Sequence, residues 1–125
     1  MATAQKKAKA EHKMILLNFS GSDWCIPCIK MHNDFFASEA FNHFADSSLV
    51  LVNADFPRTK KKQLAKDAQQ KNDALAAQYN TAGKFPLTVL LAPDGKAIRS
   101  WEGYNNGSDL QLLAEIRQEC RKQGF

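Results

Sequence analysis

One short stretch decides how the rest of the chain is interpreted, Ser20-Gly21-Ser22-Asp23-Trp24-Cys25-Ile26-Pro27-Cys28. It places two cysteines three positions apart, behind a tryptophan and with a proline between them. A pair with this spacing is typical of a redox centre, of half a metal site, or of two buried thiols that happen to be close. What precedes and follows the pair separates these interpretations.

The pair falls where a predicted strand meets a predicted helix. Residues 14–19 form a short apolar run that ends at Ser-Gly-Ser, which is typical of a buried strand. Over residues 25–36 the apolar positions recur at helical spacing, at Cys28, Met31, Phe35 and Phe36. We therefore expect the cysteines at the start of a helix that follows a strand.

This position predicts a role for each cysteine. Residues three apart at a helix start share a face, at about the 5.5 Å Cα separation that a disulfide prefers. Cys25 would lie at or just before the first turn, where free backbone N–H groups and the helix dipole favour a thiolate. Pro27 suits the first turn, which needs no N–H from it. Cys25 is therefore predicted to attack a substrate disulfide as the nucleophile, and Cys28 to release it as the resolving thiol.

Metal and haem sites fit the pair less well. A zinc site needs four ligands, and the only histidines that follow, His32 and His43, give a spacing that no standard zinc finger has. A c-type haem would need histidine directly after Cys28, where Ile29 stands. We expect no metal and no cofactor. Two inert core thiols remain the weaker alternative, because the preceding Ser-Gly-Ser-Asp favours an exposed corner.

The remaining elements predict an α/β fold. Residues 49–54 and 87–92 read as buried strands, and turn residues 93–95 should bring residues 96–101 back as an antiparallel partner. Helices are expected over residues 2–11, after an N-cap at Ser38, within residues 58–79, and after a capping box at Ser108. The order α-β-α-α-β-α-β-β-α predicts one domain over residues 1–125, with a central mixed sheet between helices.

The net charge of +4 comes largely from two lysine-rich stretches. The first is Lys6, Lys7, Lys9 and Lys13, and the second is Arg58, Lys60, Lys61, Lys62, Lys66 and Lys71. Such stretches bind an anionic partner such as nucleic acid, or they form solvated helix faces. Neither interleaves the aromatic residues that stack on bases, so we expect solvated faces and no nucleic acid. No apolar run approaches the ~20 residues that span a bilayer, and we expect no membrane insertion.

The segment around Trp24-Cys25-Ile26-Pro27-Cys28 resembles the thioredoxin family, and is most similar to bacterial thioredoxin-like proteins that carry Gly-Ser-Asp-Trp-Cys. The resemblance continues through residues 50–55, Phe85-Pro86, residues 93–95 and Gly103. It implies a thioredoxin-like fold with three α/β/α layers. The first strand of the full fold is missing from this chain, which leaves about four strands.

The resemblance also implies a substrate-binding surface around the cysteines. Trp24 would flank the nucleophile, Pro86 would be the family's cis-proline, and the backbone of Phe85 would pair with an extended substrate peptide. The full set of implied substrate-binding residues is Trp24, Ile26, Pro27, Phe85, Pro86 and Gly103.

Four positions depart from the family, and one of them is Ile26, which stands where the family usually has glycine between the cysteines. Asn18 stands where thioredoxins carry a buried aspartate, Leu51 where a lysine accompanies it, and Leu87 where threonine follows the proline. Asparagine accepts no proton at neutral pH, so Cys28 would lose its proton to water, to the substrate thiolate or to Asp23. The third cysteine, Cys120, falls on the apolar stripe of the last helix, where we expect a small buried hydrophobe.

The prediction is a thiol–disulfide oxidoreductase that acts on protein disulfides as a reductant. Two alternatives stay open: a redox-inactive binding module of the same fold, and a disulfide oxidase or isomerase, since direction depends on the potential of the pair. The expected partners are protein disulfides and an upstream electron donor, either a reductase or a membrane thiol donor. We expect a monomer, exported to the periplasm, with the cytoplasm as the alternative.

Overall fold

The computed structural model describes all 125 residues. The helices and strands follow the predicted order, with these bounds: α1 Ala2–Glu11, β1 Met14–Ser20, α2 Ile26–Met31, α3 Glu39–Ser48, β2 Leu49–Asp55, α4 Lys66–Tyr79, β3 Leu87–Leu91, β4 Ala97–Glu102 and α5 Asp109–Lys122. A π-helical turn, His32–Phe36, continues α2, and a 3₁₀ turn, Lys60–Lys62, precedes α4. None of the helices is long and apolar enough to span a membrane.

The four strands form one mixed sheet in the order β2-β1-β3-β4. β1 is parallel to β2 and antiparallel to β3, and β4 pairs antiparallel with β3. The parallel pair needs a long crossover, which α2 and α3 supply. Because β1 and β3 are central and covered on both faces, they are apolar runs without alternation.

The helices lie on both faces of the sheet, which gives the predicted three layers. On one face, α2, α3 and α5 pack against the side chains of β1 that include Met14 and Leu16. On the other face, α1 and α4 contribute Ala8 and Leu75, which pack against Ile15 and Leu17. The two cores are separate clusters, as the alternation of side chains along a strand requires.

The prediction that residues 49–54 form a fully buried strand was wrong in part. β2 lies at the sheet edge, where Leu49 and Val50 are buried but Leu51 is 51% exposed and Asn53 is exposed. On the face of the sheet that α2, α3 and α5 cover, these helices bury Leu49 at the start of β2 but leave Leu51 and Asn53 exposed. A strand run rich in branched residues does not by itself distinguish an edge from a centre.

The predicted helix over residues 25–36 is present, but it changes character after Met31. The π-helical turn brings Phe35 and Phe36 into contact with Phe41 of α3, with ring centroids 4.6 and 5.2 Å from it. The N-cap at Ser38 is confirmed, because its Oγ accepts a hydrogen bond from the N–H of Phe41 at 3.2 Å.

The capping box predicted at Ser108 was wrong. α5 begins there as expected, but the Ser108 hydroxyl donates to the carbonyl of Asn105 at 2.5 Å and accepts nothing from the helix. The apolar stripe of α5 is buried as predicted, at Leu112, Leu113, Ile116 and Cys120.

Candidate active site

The two cysteines lie at the start of α2 and form a disulfide with a Cα separation of 5.2 Å. Cys25 is the N-cap residue with an extended backbone, and Cys28 belongs to the first turn. Both residues are buried, whereas the intervening Ile26 is 79% exposed. The disulfide is therefore largely shielded from solvent, whereas the apolar side chain between the two cysteines is exposed beside it.

Backbone N–H groups donate to both sulfurs. The N–H of Cys28 lies 3.3 Å from the Cys25 Sγ, and the N–H of Gly21 lies 3.5 Å from the Cys28 Sγ. A hydrogen bond to sulfur favours the charged form of a thiol over the neutral one. In the reduced protein, these donors are placed to stabilise a thiolate, which is the species that exchanges with disulfides.

Asp55, at the end of β2, holds the loop that leads to the pair. Its carboxylate accepts hydrogen bonds from the N–H of Ser22 at 2.9 Å and from the Ser22 hydroxyl at 2.6 Å. The N–H of Phe56 also donates to the carbonyl of Ser20 at 2.9 Å. Sequence reasoning did not single out Asp55. The signal was its place at the carboxyl end of a strand parallel to β1, since such ends meet at one edge.

Asp23 anchors a second segment to the same loop. Its carboxylate accepts hydrogen bonds from the N–H groups of Arg58 at 2.9 Å and Thr59 at 2.8 Å. These bonds, that from Arg58 first, lower the pKa of Asp23 to about 2. A carboxylate with so low a pKa is a weak base near neutral pH, so its geometry supports anchoring rather than proton transfer from Cys28.

Trp24 is held in place from several sides. Its Nε1 donates to the carbonyl of Phe56 at 2.7 Å, and its ring meets the ring of Phe85 edge-on at 5.4 Å. The Arg58 guanidinium carbon lies 3.7 Å from the centre of the Trp24 ring. Gly21 is required beneath it, because a Cβ at that position would overlap the indole.

The structure brings Phe85, Pro86 and Gly103 to this end of the sheet. The Phe85–Pro86 peptide bond is cis, as the resemblance implied, and it immediately precedes β3. The N–H of Gly103 donates to the carbonyl of Pro86 at 2.8 Å, and Gly103 has a φ of 72°. Since Leu87 pairs with Phe19, β3 begins beside the point where β1 leads into the cysteine loop.

Asn18 links the two central strands. Its side-chain amide donates to the Thr88 hydroxyl at 3.0 Å, with a longer contact of 3.5 Å to the carbonyl of Leu87. Asn18 also lines a groove of about 370 Å³ that reaches from the exposed Leu51 to Cys28. The place of the family's charged pair is thus taken by a neutral amide and an apolar side chain beside an open groove.

The remaining cysteine lies outside this arrangement, whereas His32 lines the groove beside Cys28. Cys120 is buried on α5 and takes no part in the disulfide. Burial raises the pKa of its thiol to about 11, so it is protonated at neutral pH. His32 is exposed, and the structure brings no three His, Cys, Asp or Glu side chains together as a metal-binding group.

Comparison with known proteins agrees with this geometry. The family model of the thioredoxin-like domain matches residues 1–117. Over 120 residues the chain is 37% identical to the disulfide bond reductase DsbH of Chlamydia pneumoniae, covering 96% of this chain and 70% of that protein.

Solved structures extend the agreement to three dimensions. A DsbH oxidoreductase superposes with a TM-score of 0.85 at 34% identity, covering 96% of this chain and 81% of that one. A thioredoxin from Thermus thermophilus superposes with a TM-score of 0.72 at 19% identity, covering 98% and 85%, and shares the fold. The predicted thioredoxin-like α/β fold is confirmed.

The pair of cysteines, the backbone donors around them and the family match point to one chemistry, the reversible exchange of a dithiol for a disulfide. The disulfide at Cys25 and Cys28 and the relationship to DsbH favour this activity over a redox-inactive binding module. The chain belongs to the thioredoxin-like family, and it is a thiol–disulfide oxidoreductase.

Proposed function

We propose that the protein reduces disulfide bonds in protein substrates, with Cys25 as the nucleophile and Cys28 as the resolving thiol. The observation that carries the proposal is the Cys25–Cys28 disulfide at the start of α2, beside the exposed rim of Ile26. The reductase activity in the name of the Chlamydia relative supports this direction.

The reaction proceeds in two exchanges. The Cys25 thiolate attacks one sulfur of a substrate disulfide, the substrate S–S bond breaks, and the other substrate sulfur leaves as a thiolate that takes up a proton. The Cys28 thiol then loses its proton and attacks the Cys25 Sγ, which releases the second substrate thiol. Two electrons have passed to the substrate, and the Cys25–Cys28 disulfide must be reduced by a dithiol donor.

The surroundings of each sulfur support this division of roles. Cys25 is the N-cap residue and directly follows Trp24, whose ring contacts Phe85. Cys28 lies in the first turn of the helix, where its sulfur accepts from the N–H of Gly21 in the preceding loop. A substrate approaching from the Trp24 side would therefore meet Cys25 first.

The substrate would bind as an extended peptide beside the start of β3. Residues with a free backbone edge next to a strand start can add a further strand. The proposed binding surface consists of Trp24, Ile26, Pro27, Phe85, Pro86 and Gly103. The contacts of Trp24 with Phe85 and of Gly103 with Pro86 support their belonging to one surface.

Cysteine variants test the roles. Cys25→Ser should abolish insulin reduction by dithiothreitol, whereas Cys28→Ser should still attack and accumulate a mixed disulfide that mass spectrometry detects. Alkylation of the reduced protein should modify Cys25 before Cys28. Faster labelling of Cys28, or a mixed disulfide on Cys28 in the Cys25→Ser protein, would reverse the assignment.

Equilibration with glutathione tests the direction. A reductant should have a potential below about −200 mV, whereas a strongly oxidising pair lies near −120 mV. A value at the oxidising end would replace the reductase with an oxidase or isomerase. Tryptophan fluorescence provides the readout, since Trp24 directly precedes Cys25.

We also propose an exported, monomeric protein of one domain over residues 1–125, which receives electrons from a membrane thiol donor. The resemblance to bacterial thioredoxin-like proteins supports a location in the periplasm. Fractionation of cells tests the compartment, and recovery of the protein in the cytoplasm would indicate a soluble reductase as the electron donor. Light scattering should give the monomer mass of 14.0 kDa.

A further inference from the structure

The charge of the molecule is concentrated beside the redox pair. Residues 58–71 carry six cations, and Asp67 is their only carboxylate. The rest of the chain has 11 cations against 12 carboxylates, so it is slightly acidic although the protein as a whole carries +4. With six cations and one carboxylate, residues 58–71 carry more positive charge than the protein has as a net charge, and they are called here the lysine segment.

The lysine segment is fixed to the active-site loop at its first residues. The Asp23 carboxylate binds the N–H groups of Arg58 and Thr59, and the Arg58 guanidinium stacks on Trp24. The 3₁₀ turn Lys60–Lys62 begins at the residue after Thr59. Asp23, which binds Thr59, is two residues before Cys25.

The other end of the lysine segment is tied to the same edge of the sheet. Asn72 of α4 donates through its side-chain amide to the carbonyl of Asp55, the residue that holds the active-site loop. One end therefore contacts the loop that carries the cysteines, and the other end contacts the end of β2 that holds this loop, so the lysines between them stay near it.

The lysines of this segment are exposed and unpaired. Lys60, Lys61 and Lys62 are exposed, and none of the ion pairs of the structure includes them. Three adjacent cations without a counter-charge repel one another and raise the local positive potential. Such a cluster is complementary to a negatively charged partner.

An open depression connects the proposed peptide site with Arg58, the first residue of the lysine segment. It has a volume of about 620 Å³ and includes Phe85, Trp24, Phe56 and Arg58 among its lining residues. The contacts of Phe85 and Arg58 with the Trp24 ring put the guanidinium within about 9 Å of the Phe85 ring, roughly three residues of extended chain. A peptide paired beside Phe85 can therefore run across Trp24 to Arg58, which lies two residues before Lys60.

From this continuity we propose that the lysine segment is a docking surface for an acidic stretch of the substrate protein, roughly three to six residues from the substrate cysteine. The inference rests on the proposed function, because it extends the same peptide site. This role in substrate selection goes beyond the solvated face that the sequence predicts for these lysines. Electrostatic complementarity of this kind raises association rates more than it raises affinity.

Peptides that differ only in charge test the proposal. Three peptides contain the same disulfide loop and differ only in a set of three residues, which are glutamates, serines or lysines. These residues lie roughly three to six positions before or after the cysteine. The reduced protein should reduce the glutamate peptide about tenfold faster than the serine peptide at about 20 mM salt. The ratio should fall to about twofold near 200 mM salt, because the Debye length shortens.

Two charge-matched variants separate a local surface from net charge. Lys60→Glu, Lys61→Glu and Lys62→Glu together should bring the glutamate-to-serine ratio to one or below. The control is Lys6→Glu, Lys7→Glu and Lys9→Glu on α1, a helix tied by Gln5 to the β3–β4 hairpin at the opposite end of the sheet. The control variant should keep the ratio.

Three outcomes would overturn the docking surface. They are a ratio near one in the unmodified protein, an equal loss of preference in the α1 variant, and stronger inhibition by a single-stranded oligonucleotide than by polyglutamate of equal charge. The last outcome would assign the surface to nucleic acid. Failure to reduce even the serine peptide would instead count against the proposed function, so the two failures are distinguishable.

Discussion

Two carboxylates hold the loop in front of the cysteine pair, and each takes its hydrogen bonds from main-chain or hydroxyl donors. Asp55 binds Ser22 from the end of β2, and Asp23 binds the N–H groups at the start of the lysine segment. Charge-assisted hydrogen bonds of this kind are stronger than neutral ones. Individual residues on the loop thus fix the position of the redox pair.

The bonds to Asp23 predict a dependence of stability on pH. Its pKa is lowered from 3.8 to about 2, so the ionised form stabilises the folded protein above about pH 4. This stabilisation is lost as the pH falls through 2. The thermal midpoint of Asp23→Asn should therefore lie below that of the unmodified protein at pH 7 and converge with it between pH 4 and 2.

Asp46→Asn is the matched control for this prediction. Asp46 is exposed on α3, and its carboxylate accepts no hydrogen bond. Its replacement should change the thermal midpoint little across the same range. If the two variants follow one pH curve, the bonds between Asp23 and the lysine segment do not contribute to stability.

At the scale of elements, two helices begin at serines that act in different ways. The Ser38 hydroxyl accepts from the N–H of Phe41 and donates to the carbonyl of Phe35 at 2.7 Å, so it satisfies a free donor of α3. The Ser108 hydroxyl donates backwards to Asn105 and leaves the donors of α5 unsatisfied by its side chain. Serine at the N-cap position therefore stabilises the start of α3 through its side chain but does not do so for α5.

This difference predicts unequal effects of alanine. Ser38→Ala should lower the free energy of unfolding by about 1 kcal/mol, the usual contribution of an N-cap side chain. Ser108→Ala should lower it by less than half of that, because no cap hydrogen bond is lost. Urea unfolding at constant m-value measures both, and equal losses would show that the hydroxyl of Ser108 does cap α5 in solution.

Pattern reasoning at this scale located the elements but not their details. The start of α3 and the stripe of α5 follow from local spacing, which the sequence contains in full. The π-helical turn His32–Phe36 and the rotation of Ser108 depend on what packs against them. Contacts such as that of Phe36 with Phe41 decide them, and local propensity carries no record of such contacts.

At the scale of the whole molecule, α1 covers one face of the sheet and completes its core. Ala8 is fully buried between α1 and the strands, while the neighbouring Ala10 faces solvent. The helix has few apolar side chains, so its attachment depends on close approach at small residues. We therefore expect a substitution at Ala8 to change the stability of the fold strongly.

Glutamate at these two alanines tests this packing. Ala8→Glu should destabilise the fold by about 3 kcal/mol or more, because it places a charge in an apolar contact. Ala10→Glu, two residues away on the exposed face, should change the stability by less than about 0.5 kcal/mol. Thermal unfolding measures both, and similar midpoints would mean that α1 does not pack on the sheet in solution.

The sequence by itself determined the order of helices and strands, the place of Cys25 and Cys28 at the start of a helix, and the family. These follow from periodicity, turn residues and a motif, all of which act within about a turn or a strand of their own position. The edge position of β2 and the resulting exposure of Leu51 were not readable, because burial depends on which strands become neighbours.

Only the tertiary structure decided how the surroundings of the pair are built. Asp55 meets Ser22 across 33 positions of sequence, and Asp23 meets Arg58 across 35. The sheet brings these residues together because β1 and β2 are parallel and their carboxyl ends share one edge. The same geometry anchors the lysine-rich stretch, for which the sequence predicts a solvated face, beside the redox centre.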